Sequence, residues 1–461
     1  MTPALVTAPL LSSPSMSGGA YLLCFFMISL VPLAIAGMAL VNAGLGRSHS
    51  ASHSMLSSLC VVAVAAIIFM VCGFAWQAYP GMPSHVLMLG GKPWDLLGGG
   101  HWFLRGIGAI RDDVPITPPI APGAPLAAML GMLSVGLAAL VPLSAGADRW
   151  KLAGSCLSTA LLAGIIYPLF AHWAWGGGWL AQLGVNHGLG AGFVDMGGAG
   201  TIQAVAGLTA LSITWILGPR RAKFALDGRV AAAIPAHNIV LVVLGCLLLL
   251  PGWFGLNAAG AMLFNGVGVT GLPLVAINTL LCAAGAAMTA VVFTKVRFSR
   301  PDSSLSANGW VAGLVASSAG CAFVGPFFAV LIGIGAGLLL IFTVEFFETR
   351  LGIDDPAGAV SVHAVSGIWG LLSLGLAGTL PVRTWTLTGG VPGGQMLAQL
   401  TGAATLLGFV LPVSYFLNKL IDAVFRYRTE EDGERVGMDL HELGAGAYPE
   451  FLIHGDEYTQ R

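Results

Sequence analysis

The chain has 461 residues, of which 56% are hydrophobic and 9% charged, with a formal net charge of −1 and a mean hydropathy of +0.84. Soluble domains carry about 25% charged residues. So few charges cannot cover a water-exposed surface, which leaves an all-α polytopic membrane protein.

Residues 1–19, "MTPALVTAPLLSSPSMSGG", lack a basic stretch ahead of the apolar run, so no cleaved leader is expected and the segment is placed outside the cytoplasm. A spanning helix needs ~20 apolar residues. Runs of that kind predict eleven transmembrane helices, near 20–45, 55–78, 125–146, 152–172, 194–217, 237–256, 271–294, 307–323, 326–347, 359–379 and 396–424. The 65 Gly suit closely packed membrane helices. The seven Cys fall in or beside apolar runs without metal-ligand spacing and read as free buried thiols. The loop 80–124, with its Pro-rich end "DDVPITPPIAPGAP", is expected to be structural cover. Residues 425–461 form a charged tail, either a solvated extension or a regulatory, docking segment; the alternation of polar and apolar residues over 437–441 suits packing.

Charge tests the helix count. With the first connection cytoplasmic, sixteen of the 20 Lys and Arg residues fall on that side, leaving Lys92, Arg105, Arg111 and Arg383 on the other. The positive-inside rule then sets the N-terminus outside and the C-terminus inside.

The stretch "AGTIQAVAG" (199–207) matches "AVSVHAVSG" (359–367) at an offset of 160. The alignment pairs Asp195 with Asp355, Gly198 with Gly358, and Gln203 with His363. Five helices separate the copies, an odd number, so they run oppositely across the bilayer. That pattern predicts an inverted five-plus-five repeat, about 20–217 and 237–379, within a membrane domain of 20–424. In each copy an Asp stands where it caps free helix N–H groups. The polar residue eight positions on lies roughly 12 Å deeper at a 1.5 Å rise. A single such residue reads as an interhelical hydrogen bond; a symmetry-matched pair favours a pore wall.

Six stretches carry a resemblance: "AHWAWGGGWLAQLG" (171–184), "VDMGGAGTIQAVAGL" (194–208), "HNIVLVVLGCLLLLPGWFGLNAAG" (237–260), "NGWVAGLVASSAGCAFVGP" (308–326), "GIDDPAGAVSVHAVSGIWG" (352–370) and the tail "EEDGERVGMDLHELGAGAY". They resemble the Amt/Mep/Rh ammonium transporters. The resemblance implies a homotrimer with one pore per subunit in a cell (inner) membrane, conducting ammonia after a recruited ammonium ion sheds its proton. It implies that Trp175 holds the cation by its ring face, that Asp195 supports the site, that Trp253 and Asn257 flank the pore, and that His363 is the second of two pore histidines. The chain departs from the family along the path. Gln203 replaces the first histidine, Leu256 a gate phenylalanine and Gly260 a recruiting serine; the other gate position falls at Leu133 or Ser134, and Val41 with Asn42 replaces an aromatic pair. Gln cannot titrate near neutral pH, so a proton relay through this pair is expected to be impaired.

Two functions follow. One is an ammonium/ammonia transporter or channel that could also admit methylammonium or potassium. The other is an ammonium sensor acting through its tail on a cytoplasmic partner such as a PII-type regulator. Membrane lipid is an expected partner; nucleic acid, cofactors, metals and enzyme chemistry are not. Glu345 and Glu348 read as surface charges near a helix end.

Overall fold

A computed structural model describes residues 16–107, 121–221, 223–224, 234–380 and 393–448. The Pro-rich run 111–120, Arg111, Arg229, Arg383 and the end of the tail lie outside the described residues.

Among the described residues, ten helices are long and apolar enough to cross a bilayer: α1 Gly18–Leu45, α2 Ser48–Gln77, α3 Ala124–Ala145, α4 Leu152–Ala174, α5 Ala199–Leu217, α6 Ile239–Asn265, α7 Val269–Phe298, α9 Pro326–Thr349, α10 Val360–Ala377 and α11 Gly394–Phe425. Between α7 and α9 lies α8, Ser303–Ser317, with 15 residues. The expected eighth span, 307–323, is therefore cut short: from Ser318 the chain turns through 318–325 before α9 begins at Pro326. α1 is also broken near Ser29, where Ser29 Oγ donates to Phe25 O and Pro32 starts the next segment.

The entirely helical expectation needs one correction. The loop between α2 and α3 forms an antiparallel hairpin, β1 Ser84–Leu89 and β2 Lys92–Gly98. Its turn residues Gly90 and Gly91 have φ of 59° and 75°, the positive values a tight hairpin turn requires. Asp95 on β2 accepts from Ser84 Oγ at 2.7 Å and pairs with His172 Nε2 at 2.9 Å.

Small residues let the helices meet backbone to backbone. α1 and α6 meet along Gly37–Gly245 and Ala34–Gly252. Large apolar side chains such as Leu59, Leu247, Phe327 and Val424 stay exposed, as a lipid-facing surface requires. The seven cysteines are all free.

The tail packs under the bundle. Thr429 and Lys151 exchange backbone hydrogen bonds with Arg149 and Tyr427, at 2.9 and 3.0 Å. Arg428 donates to the carbonyls of Leu217 and Pro219 at the C-terminal end of α5, where a cation also meets the favourable end of the helix dipole. After the short helix α12, Glu431–Val436, Met438 is fully buried. Asp439 then accepts from the Ser52 and His53 amides, capping α2, and Glu442 accepts from His53 Nε2 and the Leu152 amide at the start of α4. Of the two carboxylates expected on the surface, Glu345 does pair with Arg297 among exposed side chains, while Glu348 meets the largely buried Lys223 at 2.6 Å.

Candidate functional site

The two matched stretches take the same local form. Each follows a glycine in the left-handed region, Gly198 at φ 90° and Gly358 at φ 68°. Each then opens with a π-helical turn, Ala199–Ala204 and Val360–Val365, a widened turn common at functional sites. Each Asp satisfies helix-start amides with one oxygen. Asp195 Oδ2 accepts from the Gly200 and Thr201 amides and from Thr201 Oγ1, and Asp355 Oδ2 accepts from the Val360 amide. The helices α5 and α10 pack reciprocally, Gly207 against Ala364 and Gly367 against Ala199 and Ala204.

This crossing brings Gln203 and His363 together. Gln203 Oε1 lies 2.7 Å from His363 Nδ1, with Gln203 wholly buried and His363 3% exposed. An amide oxygen only accepts, so Nδ1 carries the hydrogen and Nε2 keeps the lone pair. Gln203 Nε2 has no partner within the described residues.

Trp175 is 3% exposed and donates from Nε1 to the Asp195 carbonyl at 2.6 Å. Its ring stacks on Phe264 at 4.5 Å and 6°, so one face is already covered. Trp253 donates to Ser318 Oγ at 2.9 Å. Asn257 donates to Thr279 and Ser317 hydroxyls while its Oδ1 lies against Gly197. Gly260 abuts the Met196 carbonyl so closely that any Cβ there would clash. Leu256 is fully buried. Val41 packs against Gly245, and Asn42 Nδ2 donates to the Leu140 carbonyl at 2.8 Å. Leu133 is half-buried, whereas Ser134, one residue on, is completely enclosed. Sequence reasoning missed Phe264, Tyr167 and Gln77. Only Gln77 left a signal, as the one strongly polar residue in "VCGFAWQAYP".

Fold and site together define a polytopic helical membrane protein with a buried polar pair at the crossing of two matched helices. A model of the ammonium transporter family matches residues 21–448. Ammonium transporter Amt2 of Archaeoglobus fulgidus is 32% identical over 440 residues, covering 94% of this chain and 88% of the relative. The ammonium transporter of Bacillus subtilis is 28% identical, covering 93% and 98%. Among solved structures, a sensor Amt protein aligns with a TM-score of 0.79 at 27% identity, over 92% of this chain and 97% of its own. Candida albicans Mep2 aligns with a TM-score of 0.73 at 21% identity, over 94% and 90%, a likeness of fold. The chain belongs to the ammonium transporter family.

Proposed function

We propose that this chain conducts ammonia across a cell (inner) membrane through a pore in each subunit of a homotrimer, past Gln203 and His363. The observation that carries this is the buried hydrogen bond between two sequence-matched residues on two matched π-helical turns. It supports the inverted repeat, and with it eleven membrane crossings counting α8, the N-terminus outside and the tail inside.

Physical chemistry supplies the steps. A cation at the outer Trp175–Asp195 region cannot enter an apolar path unpaired, because desolvation is prohibitive, so it returns its proton to water at the mouth and proceeds as ammonia. Ammonia accepts one hydrogen bond and donates three. His363 Nε2 offers the acceptor and Gln203 Nε2 the donor, so the pair can greet a neutral molecule from both sides. A bare cation can only be repelled by the Gln203 N–H groups. Gln203 does not titrate, which removes a ring-to-ring proton relay.

Proteoliposome uptake tests the proposal. Wild-type protein should move ammonium-derived nitrogen with little net current, and Gln203→His should raise the current. An ordered oligomer with neither uptake nor current would end it.

A second reading is an ammonium sensor signalling through the tail to a PII-type regulator. The docked tail and the likeness to a sensor Amt protein favour it. Capture of such a regulator by wild-type protein but not by protein lacking 425–461, with no transport, would select this reading.

A further inference from the structure

His172 of α4 stands three residues before Trp175 and is fully buried. Its ring reaches two neighbours, each at 2.9 Å: Nδ1 meets the Gln77 backbone carbonyl at the end of α2, and Nε2 meets the Asp95 carboxylate on β2. A carbonyl and a carboxylate only accept, and a neutral imidazole has a single N–H. Both contacts are satisfied together only when both ring nitrogens carry hydrogen. Asp95, 8% exposed, also accepts from Ser84 Oγ at 2.7 Å with its other oxygen, which favours the ionised carboxylate. Without the second ring proton, a nitrogen lone pair would face an acceptor inside the protein, with nothing to replace the lost bond.

This clamp bears on the turn that follows. Gly176 lies so close to the Gln77 carbonyl and His172 Nδ1 that neither leaves room for a Cβ. β2 holds the same turn at two more points: the Asp95 carbonyl accepts from the Trp179 amide at 3.0 Å, and the Leu96 carbonyl accepts from Trp173 Nε1 at 2.8 Å. Trp175 therefore rides on backbone tied both to the hairpin and to the end of α2. The other titratable groups on elements packed against this end of α4 are engaged elsewhere. Lys92 of β2 donates to the Asn186 carbonyl and lies beside His187. His85 of β1 rests against Gly99. Asp195, ahead of α5, spends Oδ2 on the Gly200 and Thr201 amides. Tyr167, on α4 itself, turns its ring to Phe69. The last turn of α2, Phe74–Gln77, contributes no titratable side chain.

We propose that Asp95 and His172 are positioning residues: a carboxylate–imidazolium clamp that fixes the Trp175 turn to the hairpin and releases it when the second ring proton leaves. The clamp rests on geometry; that its release weakens cation recruitment rests on the role proposed for Trp175. The topology proposed above sets the hairpin outside, so alkaline surroundings would lower the affinity for ammonium.

The test compares the full-length wild-type oligomer with Asp95→Asn and His172→Phe. An asparagine amide can donate to a neutral ring at Nε2, so Asp95→Asn keeps the clamp without the extra proton; His172→Phe removes both bonds. From about pH 6 to about pH 9, the wild-type hairpin, 84–98, should lose protection from hydrogen exchange. Over the same range its KM for ammonium uptake into proteoliposomes should rise about tenfold relative to Asp95→Asn. Comparison at equal pH cancels the titration of ammonium itself. Asp95→Asn should stay protected throughout, and His172→Phe should be unprotected with a high KM throughout, with kcat unchanged in all three. Nitrogen-15 NMR of labelled histidine reads the ring: two protonated nitrogens in the wild type at about pH 6, one in Asp95→Asn. A single protonated nitrogen in the wild type there, or one pH dependence shared by the wild type and Asp95→Asn, overturns the clamp. If the variants fold poorly, the wild type decides alone: hairpin exchange that rises as the second ring proton leaves upholds the clamp, and exchange indifferent to that proton overturns it. A titrating clamp in a protein without flux upholds the clamp and refutes the transport reading alone. Flux with a KM indifferent to the clamp overturns the positioning role.

Discussion

Adding one methyl group at Gly207 should pull apart the polar pair. In the folded protein that Cβ would lie 2.9 Å from Ala364 Cα and Cβ and closer still to the Ala364 amide nitrogen. Ordinary carbon contacts sit at about 3.5–4.0 Å, so α5 and α10 must separate by about 1 Å. The neighbour is backbone, which cannot swing aside as a flexible side chain would. The Gln203–His363 distance of 2.7 Å would then grow to about 3.7 Å, beyond hydrogen-bond range. Overpacking of this kind costs about 1–3 kcal/mol. Gly367→Ala meets the Ala199 carbonyl and Ala204 Cβ in the reciprocal contact and should cost a similar amount. The assay is thermal denaturation of the detergent-solubilised protein, with nitrogen-15 NMR of labelled histidine reporting whether His363 keeps its hydrogen on Nδ1. Both variants should melt earlier and lose the fixed tautomer. If either keeps wild-type stability and the Nδ1 signal, the close crossing is not what holds the pair.

Three further outcomes are expected. Asp439→Ala removes the cap of α2, worth about 0.5–2 kcal/mol, so protease cleavage within 425–448 should rise roughly two- to thirtyfold at the equivalence of about 1.4 kcal/mol per tenfold. Asp354 lies between helices; burial alone would raise its carboxyl, but the Arg220 hydrogen bond and the nearby Arg149 charge hold it below the usual carboxylate range. A depressed carboxylate contributes stability above its unfolded value, about 3.9 for Asp, and loses it as pH falls through the folded value. Melting temperature should therefore drop on acidification below about pH 4, and Asp354→Asn should flatten that drop while destabilising the protein at pH 7. Arg220 joins Asp354 and Asp148 in a buried network, so Arg220→Met should cost about 3–5 kcal/mol, visible as a lower yield of intact oligomer.

Much of this architecture could be read in the chain because hydrocarbon imposes simple rules. Length and apolarity located ten of the helices, and the 160-residue offset singled out Gln203 and His363 before any contact was known. What escaped depends on partners distant in sequence. Nothing near Trp175 announces Phe264, which reaches it from the far end of α6. The apolar run over 307–323 outlasts α8, which ends at Ser317, because the small residues at 316–322 are apolar enough to extend a hydropathy run yet small and polar enough to turn. The hairpin was readable: Gly90–Gly91 between two strand-forming runs is a turn signal, obscured by its place in a long loop. The tail does pack, but not by the alternation read over 437–441: Gly437, Met438 and Asp439 are buried in succession, and Asp439 is buried because it reaches α2, nearly four hundred residues earlier, which required the fold.

The stack of Trp175 on Phe264 carries an energetic consequence. An aromatic pair is worth about 0.5–1.5 kcal/mol, while a cation over a ring gains about 0.5–2 kcal/mol. The two sums nearly match, so a cation seeking the Trp175 face occupied by Phe264 trades one favourable partner for another and gains little. Under the recruiting role proposed for Trp175, the face held by Phe264 offers a cation only the small difference between two contacts, and net capture falls to the opposite face of the indole.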